Sequence, residues 1–127
     1  MILADTSVWI DHLRSENKEM RQHLDQGNIA IHPFIIVELA LGSLKGRTET
    51  LALLDLLPHV RVAQLSEVRS MIEARRLYNL GIGLTDAHLI ASVFINPATL
   101  LWTRDRRLRK VAEALGIHAG LGLTNRG

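Results

Sequence analysis

The sequence contains no cysteine, which excludes disulfide bonds, thiolate nucleophiles and thiolate zinc sites. Aromatic residues make up only 4% of the chain, so Trp9 and Trp102 are expected in the core rather than on a base-stacking surface. No run of about 18 apolar residues occurs, and the N-terminal segment lacks the basic and apolar regions of a secretion signal. We therefore expect a cytoplasmic protein with no membrane contact, in which any metal ion is bound by oxygen or histidine.

The overall composition is that of one folded domain covering residues 1–127. Hydrophobic residues make up 47% of the chain and charged residues 22%, which is typical of a globular protein. The 15 basic residues slightly outnumber the 13 acidic ones, for a net charge of +2. If several acids belong to one site, the remaining surface is more basic than this total indicates, which favours a polyanionic partner.

Short apolar runs alternate with segments of helical periodicity along the chain, which predicts an α/β fold. Because strands joined through helices pair in parallel with right-handed crossovers, we expect a three-layer α/β/α domain with a central parallel sheet of four to five strands. The predicted strands are 2–4, 29–31, 60–62 and 99–102. The predicted helices are 8–13, 16–26, 34–41, 48–57, 67–80, 85–96 and 105–115.

Four acidic residues stand at positions that this fold would bring to one edge of the sheet. Asp5 and Asp105 directly follow predicted strands, and the carboxyl ends of parallel strands border the ligand crevice of open α/β sheets. Asp86 lies in the first turn of one predicted helix and Glu38 in the second turn of another. The sequence therefore predicts a cluster of carboxylates at this edge.

Helix capping is the simpler interpretation of three of these acids. Asp5, Asp86 and Asp105 all lie at predicted helix starts, where a carboxylate stabilises the helix by about 0.3–2 kcal/mol. Glu38 does not fit this interpretation. The predicted helix 34–41 is apolar on every other side and carries no Lys or Arg, so we expect it inside the protein. A charge buried there costs several kcal/mol unless it is paired.

Electrostatics favours a metal ion at a cluster of this kind. Two carboxylates about 5 Å apart repel each other by ~3 kcal/mol at an effective dielectric constant of 20. Divalent cations remove this repulsion, and a set of hard oxygen ligands suits Mg²⁺ or Mn²⁺ better than Zn²⁺. Two such ions about 3.5–4 Å apart would activate water and stabilise the leaving oxygen of a phosphodiester.

Four segments of the sequence resemble the motifs of the PIN-domain ribonucleases, in particular the VapC toxins of bacterial toxin–antitoxin pairs. These segments occur in the order and spacing of that family and span nearly the whole chain. They are Leu-Ala-Asp-Thr-Ser-Val-Trp-Ile-Asp at 3–11, Pro-Phe-Ile-Ile-Val-Glu-Leu-Ala-Leu-Gly at 33–42, Leu-Thr-Asp-Ala-His-Leu-Ile-Ala-Ser at 84–92 and Leu-Trp-Thr-Arg-Asp-Arg-Arg-Leu at 101–108.

The resemblance implies an endoribonuclease dependent on Mg²⁺ or Mn²⁺, which forms a homodimer and is inhibited by a VapB-like antitoxin. The metal ligands it implies are Asp5, Glu38, Asp86 and Asp105. The resemblance also implies that Thr103, Thr6 and Ser7 support the site, and that Thr6 and Ser7 contact RNA. Members of the family often carry a further acid two residues after the last ligand, whereas this chain has Arg107 there. This departure leaves open whether the free protein holds one ion or two.

Basic and histidine residues near these motifs have further possible roles. A basic run beginning beside Asp105 is a potential contact for RNA phosphates, although a solvated helix face is the alternative. Its members are Arg104, Arg106, Arg107, Arg109 and Lys110, of which we assign the first three to RNA binding. His32 and His88 are expected to have a structural role rather than to bind a metal.

Two other functions were weighed against a ribonuclease. A haloacid-dehalogenase-like phosphatase would also place a nucleophilic Asp after the first strand, but it needs an Asp two residues later, where this chain has Ser7. A non-catalytic PIN-like RNA-binding module is the second alternative. Such modules have usually lost acids, whereas this sequence retains all four.

Overall fold

The computed structural model describes residues 1–122, in which three short strands and seven helices alternate along the chain. The strands are β1 (Ile2–Ala4), β2 (Ile29–Ala30) and β3 (Leu100–Trp102). The helices are α1 (Thr6–Arg14), α2 (Lys18–Asp25), α3 (Pro33–Ala40), α4 (Arg47–Asp55), α5 (Leu65–Arg75), α6 (Leu84–Ile95) and α7 (Arg106–Ala114). The α/β class is thus confirmed.

The sheet has β1 at its centre, with β2 and β3 paired to it in parallel. On the β3 side the register aligns Ala4 with Trp102, so both strands end at the same level. Consecutive side chains of a strand point to opposite faces of the sheet, and both Leu3 and Ala4 are fully buried. Both faces of the central strand are therefore covered, as a parallel sheet requires.

The prediction of four to five strands is wrong for the described residues, in which the sheet has three. The predicted strand 60–62 does not form: its segment contributes only one isolated bridge, between Ile31 and His59. A similar bridge joins Leu101 and His118 on the other side. The places where a fourth and a fifth strand would lie are thus each occupied by a segment that makes a single bridge.

Helix α3 is not inside the protein, contrary to the sequence-based expectation. Ile35 and Leu39 are buried, but Val37 and Glu38 are exposed, and Leu41 directly after the helix is 83% exposed. The helix is apolar all round in sequence, yet only one of its sides contacts the core.

The core lies around the central strand and includes both tryptophans, Trp9 and Trp102, as predicted. Helix α6 supplies a continuous buried segment from Ala87 to Val93. No helix among residues 1–122 is long and apolar enough to cross a membrane.

Candidate active site

Two predicted site residues stand side by side because β1 and β3 are neighbours that end at the same level. The backbone N–H of Asp5 donates to the carbonyl of Trp102 over 2.9 Å, which continues the β1–β3 pairing beyond the strands. Thr103 follows on the β3 side. Its hydroxyl donates to Oδ2 of Asp5 at 2.5 Å and accepts from the backbone N–H of Asp105 at 2.9 Å. Thr103 therefore connects the two acids that follow the strands.

Asp5 is only 5% exposed, and three donors hold its carboxylate in place. Besides Thr103, the hydroxyl of Ser7 and the N–H of Val8 both donate to Oδ1, at 2.5 and 3.2 Å. The contact from Val8 makes Asp5 the N-cap of α1. A buried carboxylate with this many donors is fixed in one orientation.

Asp105 and Asp86 are also attached to the starts of their helices. Oδ1 of Asp105 accepts from the N–H of Leu108 at 2.9 Å, and Oδ2 of Asp86 accepts from the N–H of Gly83 at 3.3 Å. The capping interpretation is thus correct for Asp5, Asp86 and Asp105. It does not exclude a metal site, because each cap uses only part of the carboxylate.

Glu38 lies on the exposed side of α3, so the burial argument made for it from the sequence is wrong. Its carboxylate is not a charge trapped inside the protein. It is instead oriented from the neighbouring helix, since the hydroxyl of Thr6 donates to Oε1 at 2.5 Å. Thr6 and Ser7, adjacent in sequence, therefore orient two different acids.

The charges of the four acids influence one another. Burial raises the pKa of Asp5 above its usual value, its hydrogen bonds from Ser7, Thr103 and Val8 lower it, and repulsion from Asp86 raises it further. Burial also raises the pKa of Asp86, the hydrogen bond from Gly83 lowers it, and repulsion from Asp105 and Glu38 adds to the rise. Asp86 thus interacts electrostatically with each of the other three acids and is central to the repulsion within the cluster.

No basic side chain in residues 1–122 forms an ion pair with any of these four acids. The two ion pairs of that segment are Arg21 with Asp25 and Arg104 with Asp11. Within this described segment, the negative charge of the cluster is therefore not balanced by an ion pair.

The donor set fits a hard divalent cation. The hydrogen bonds described above engage one oxygen each of Glu38, Asp86 and Asp105, and they leave a lone pair on Oδ2 of Asp5. Over residues 1–122, however, no three acidic or histidine side chains are already close enough together to hold an ion. An ion would have to draw the four side chains closer, and relief of their repulsion favours that movement.

The basic residues assigned to RNA binding differ in their contacts. Arg104 is partly buried, its guanidinium lies 3.6 Å from Asp11, and its backbone N–H donates to the Ser7 hydroxyl. Arg106 and Arg107 are exposed in the first turn of α7. Arg104 therefore ties α1 to the segment after β3, a contact that no local sequence signal indicated.

His32 has a role that the sequence left unspecified. It is fully buried at the N-cap of α3, and its Nδ1 accepts from the N–H of Phe34 at 3.0 Å. Burial, and to a smaller extent His88, lower the pKa of His32 to about 4. A neutral imidazole thus fixes the start of the helix that carries Glu38, and the sequence signal for this was a hydrogen-bonding residue directly before Pro33.

Comparisons with known proteins agree with this architecture. Residues 2–114 match the family described as PIN domain, a range that includes all four acids and Thr103. Over 117 residues the chain is 42% identical to Ribonuclease VapC32 of Mycobacterium tuberculosis strain CDC 1551 / Oshkosh. The alignment covers 92% of this chain and 94% of that protein. The protein of the same name from strain ATCC 25618 / H37Rv matches with the same identity and coverage.

Proposed function

This chain belongs to the PIN-domain family, and from that premise we propose that it is a VapC-type endoribonuclease, the toxin of a toxin–antitoxin pair. We further propose that Asp5, Glu38, Asp86 and Asp105 hold Mg²⁺ or Mn²⁺. One observation carries the proposed site: four carboxylates repel one another around Asp86, and no ion pair within residues 1–122 balances them. The repulsion among four such carboxylates is unfavourable unless a cation occupies the cluster.

Each residue has a distinct part in this proposal. A divalent ion, when bound, supplies an activated water and stabilises the leaving oxygen of a phosphodiester. Thr103 and Ser7 hold Asp5 in a fixed orientation, so little free energy is needed to orient the most buried of the proposed ligands. Thr6 orients Glu38 from the solvent side of the cleft. The pKa of Asp86 is raised by burial and by the charges of Asp105 and Glu38, so a bound ion would relieve repulsion at this acid.

Single-stranded or looped RNA is the proposed substrate. An unpaired strand can bend so that one phosphate enters a cleft lined by side chains, which a regular duplex resists. The basic first turn of α7, adjacent to Asp105, would contact the phosphates on either side.

RNA cleavage tests the activity directly. A single-stranded RNA incubated with the purified protein should be cut with Mg²⁺ or Mn²⁺ and left intact in EDTA, giving 5′-phosphate and 3′-hydroxyl ends. Undiminished cleavage in metal-free buffer would contradict the metal site. RNA that is bound but never cut with either ion would favour the alternative, a non-catalytic RNA-binding module.

The proposed partner is a VapB-like antitoxin that blocks the cleft, and the proposed assembly is a homodimer of the toxin. A groove of about 450 Å³ opens between α1 and the C-terminal end of α3, and Glu38 lies in its lining. Its apolar walls include Ile10 and Leu13, both exposed. An apolar segment of the partner that binds in this groove could place an Arg beside the carboxylates. The guanidinium group of that Arg would pair with a carboxylate through two parallel hydrogen bonds.

A further inference from the structure

We propose that Arg107, which packs against Gly81, binds an RNA phosphate beside the acid cluster, and that Arg104 does not share this role. This inference rests on the proposed ribonuclease function. It distinguishes two members of a basic run that look equivalent in sequence.

The side chain of Arg107 lies directly against the backbone of Gly81. A Cβ added to Gly81 would lie 2.8 Å from Cδ of Arg107 and 3.1 Å from its Nη1. These distances are shorter than van der Waals contact, so a side chain at position 81 would displace the arginine from this place. Gly81 also has a φ of +77°, a conformation that glycine adopts without strain. Glycine at this position therefore allows the backbone turn and the close approach of Arg107.

This contact joins α7 to the segment that precedes α6. Arg107 belongs to the first turn of α7, whose N-cap is Asp105. Gly81 belongs to the segment leading into α6, which is fastened to Asp86 through the N–H of Gly83. The arginine thus bridges the two segments that carry Asp105 and Asp86.

The guanidinium group of Arg107 is nevertheless not paired with either acid. No carboxylate oxygen in residues 1–122 lies within 4.0 Å of it. The charges that affect the pKa of Asp86 are those of Asp105 and Glu38, not that of Arg107. Arg104, by contrast, is already engaged with Asp11 at 3.6 Å. Of these two arginines, Arg107 is the one free to bind an anion.

The position of Arg107 is unfavourable for the stability of α7 itself. A helix N-terminus carries partial positive charge, so basic residues stabilise the last turn and acidic ones the first. In α7 the first turn holds Arg106 and Arg107 but no acid, and the last turn holds no basic residue. Helix stability therefore does not explain this arginine, whereas a ligand phosphate would.

A contact between Arg107 and a phosphate would also offset the repulsion between the acid cluster and the RNA backbone. The acid cluster repels RNA until a metal ion is bound, and an unpaired arginine at its edge attracts the adjoining phosphate. Because the exposed side chain packs along the backbone of Gly81, part of its conformational freedom is already restricted before a phosphate binds.

Salt-dependent RNA binding in EDTA tests this inference without any cleavage. Fluorescence anisotropy of a labelled single-stranded RNA would compare the wild type with Arg107→Gln and Arg104→Gln. Arg69→Gln is the matched control, since Arg69 is exposed on α5 and the change in net charge is the same. Each phosphate contact to a single strand contributes about 0.7 to the slope of log affinity against log salt. Arg107→Gln should therefore bind about 5-fold more weakly at 0.1 M salt, with a slope smaller by ~0.7.

The other variants should separate the roles. Arg104→Gln and Arg69→Gln should stay within about 2-fold of the wild type, and Arg107→Lys should keep the wild-type slope because it keeps the charge. Equal losses in Arg107→Gln and Arg69→Gln, or in Arg107→Gln and Arg104→Gln, would overturn the inference while leaving the ribonuclease proposal intact. A wild type that binds no RNA in EDTA at any salt concentration would also overturn the inference, whereas the ribonuclease proposal is overturned only if no RNA is cut with Mg²⁺ or Mn²⁺ present.

Discussion

At the scale of single residues, the four acids of the site differ in how firmly they are held. Asp5 is buried and accepts three hydrogen bonds, whereas Asp86 accepts one long one, from Gly83. Asp5 is thus organised in advance, and Asp86 is the acid most affected by the charges around it. A substitution that removes charge should accordingly have its clearest effect at Asp86.

We expect Asp86→Asn to stabilise the metal-free protein by about 1–2 kcal/mol, because it removes repulsion with three acids at a partly solvated site. Asn retains an oxygen that can accept from Gly83. Added Mn²⁺ should stabilise the wild type by about 2.7 kcal/mol at 100 times its Kd, while the variant responds little. Melting curves in EDTA and in millimolar Mn²⁺ measure both effects.

Asp55→Asn provides the matched control for this comparison, since Asp55 is exposed at the end of α4. It should keep the wild-type metal response. Equal responses in the wild type and Asp86→Asn would mean that Asp86 is not a ligand. A variant less stable than the wild type in EDTA would contradict the repulsion argument.

At the scale of elements, α3 is the helix whose placement matters most for the site, because it carries Glu38. A buried, neutral His32 caps its start, and the guanidinium of Arg47 donates to the carbonyls of Ala40 and Gly42 near its end. Both ends of the helix are therefore fastened by side chains. The cap at the start depends on pH, since only unprotonated Nδ1 can accept a hydrogen bond.

We expect His32 to make the protein less stable as the pH falls from 6.5 to about 4. The pKa of His32 is about 4 in the folded protein and 6.5 ordinarily, so between these values the unfolded chain binds the extra proton. Stability is complete above pH 6.5 and decreases by up to about 3 kcal/mol by pH 4. Urea unfolding at several pH values would measure this slope.

His32→Asn should flatten the dependence, because Asn caps helices well and does not titrate. The comparison concerns the slope, since the smaller side chain lowers stability at every pH. His59→Asn, at an exposed position, should leave the slope as in the wild type. If His32→Asn also kept the wild-type slope, the buried imidazole would not be its source.

At the scale of the whole molecule, an apolar surface is continuous with the acid cluster. Val37 and Leu41 flank Glu38 on α3 and are 58% and 83% exposed. The groove beside them is lined by Ile10 and Leu13 of α1. A partner covering this surface would bury apolar area and close the cleft at the same time.

Ile10→Asp should therefore free the enzyme from its antitoxin while leaving RNA cleavage intact. Expression of the wild-type toxin alone should slow growth, and co-expression of the VapB-like partner should restore it. A charge in place of this apolar side chain of the groove should weaken the complex at least ~10-fold and abolish this rescue. The control is Leu65→Asp, because Leu65 is an exposed apolar residue on α5, outside the groove. Rescue of both variants to the same extent would place the partner elsewhere.

The sequence by itself determined the α/β class, all seven helices and the three strands of the sheet, and it led to the proposal of the four acids as a site. Strand and helix periodicity are local properties, and Asp5 and Asp105 follow strands, so their convergence could be predicted from parallel pairing alone. The four motifs identified the family for the same reason: they are short segments in a fixed order.

Only the tertiary structure decided which side of α3 is covered and which arginine is free. The exposure of Glu38 and the reduction of segment 60–62 to one bridge depend on the elements packed beside them, which no periodicity encodes. Arg104 and Arg107 are near neighbours in sequence, yet one pairs with Asp11 and the other lies on Gly81. Contacts between residues distant in the chain arise from packing, and packing is a property of the whole fold.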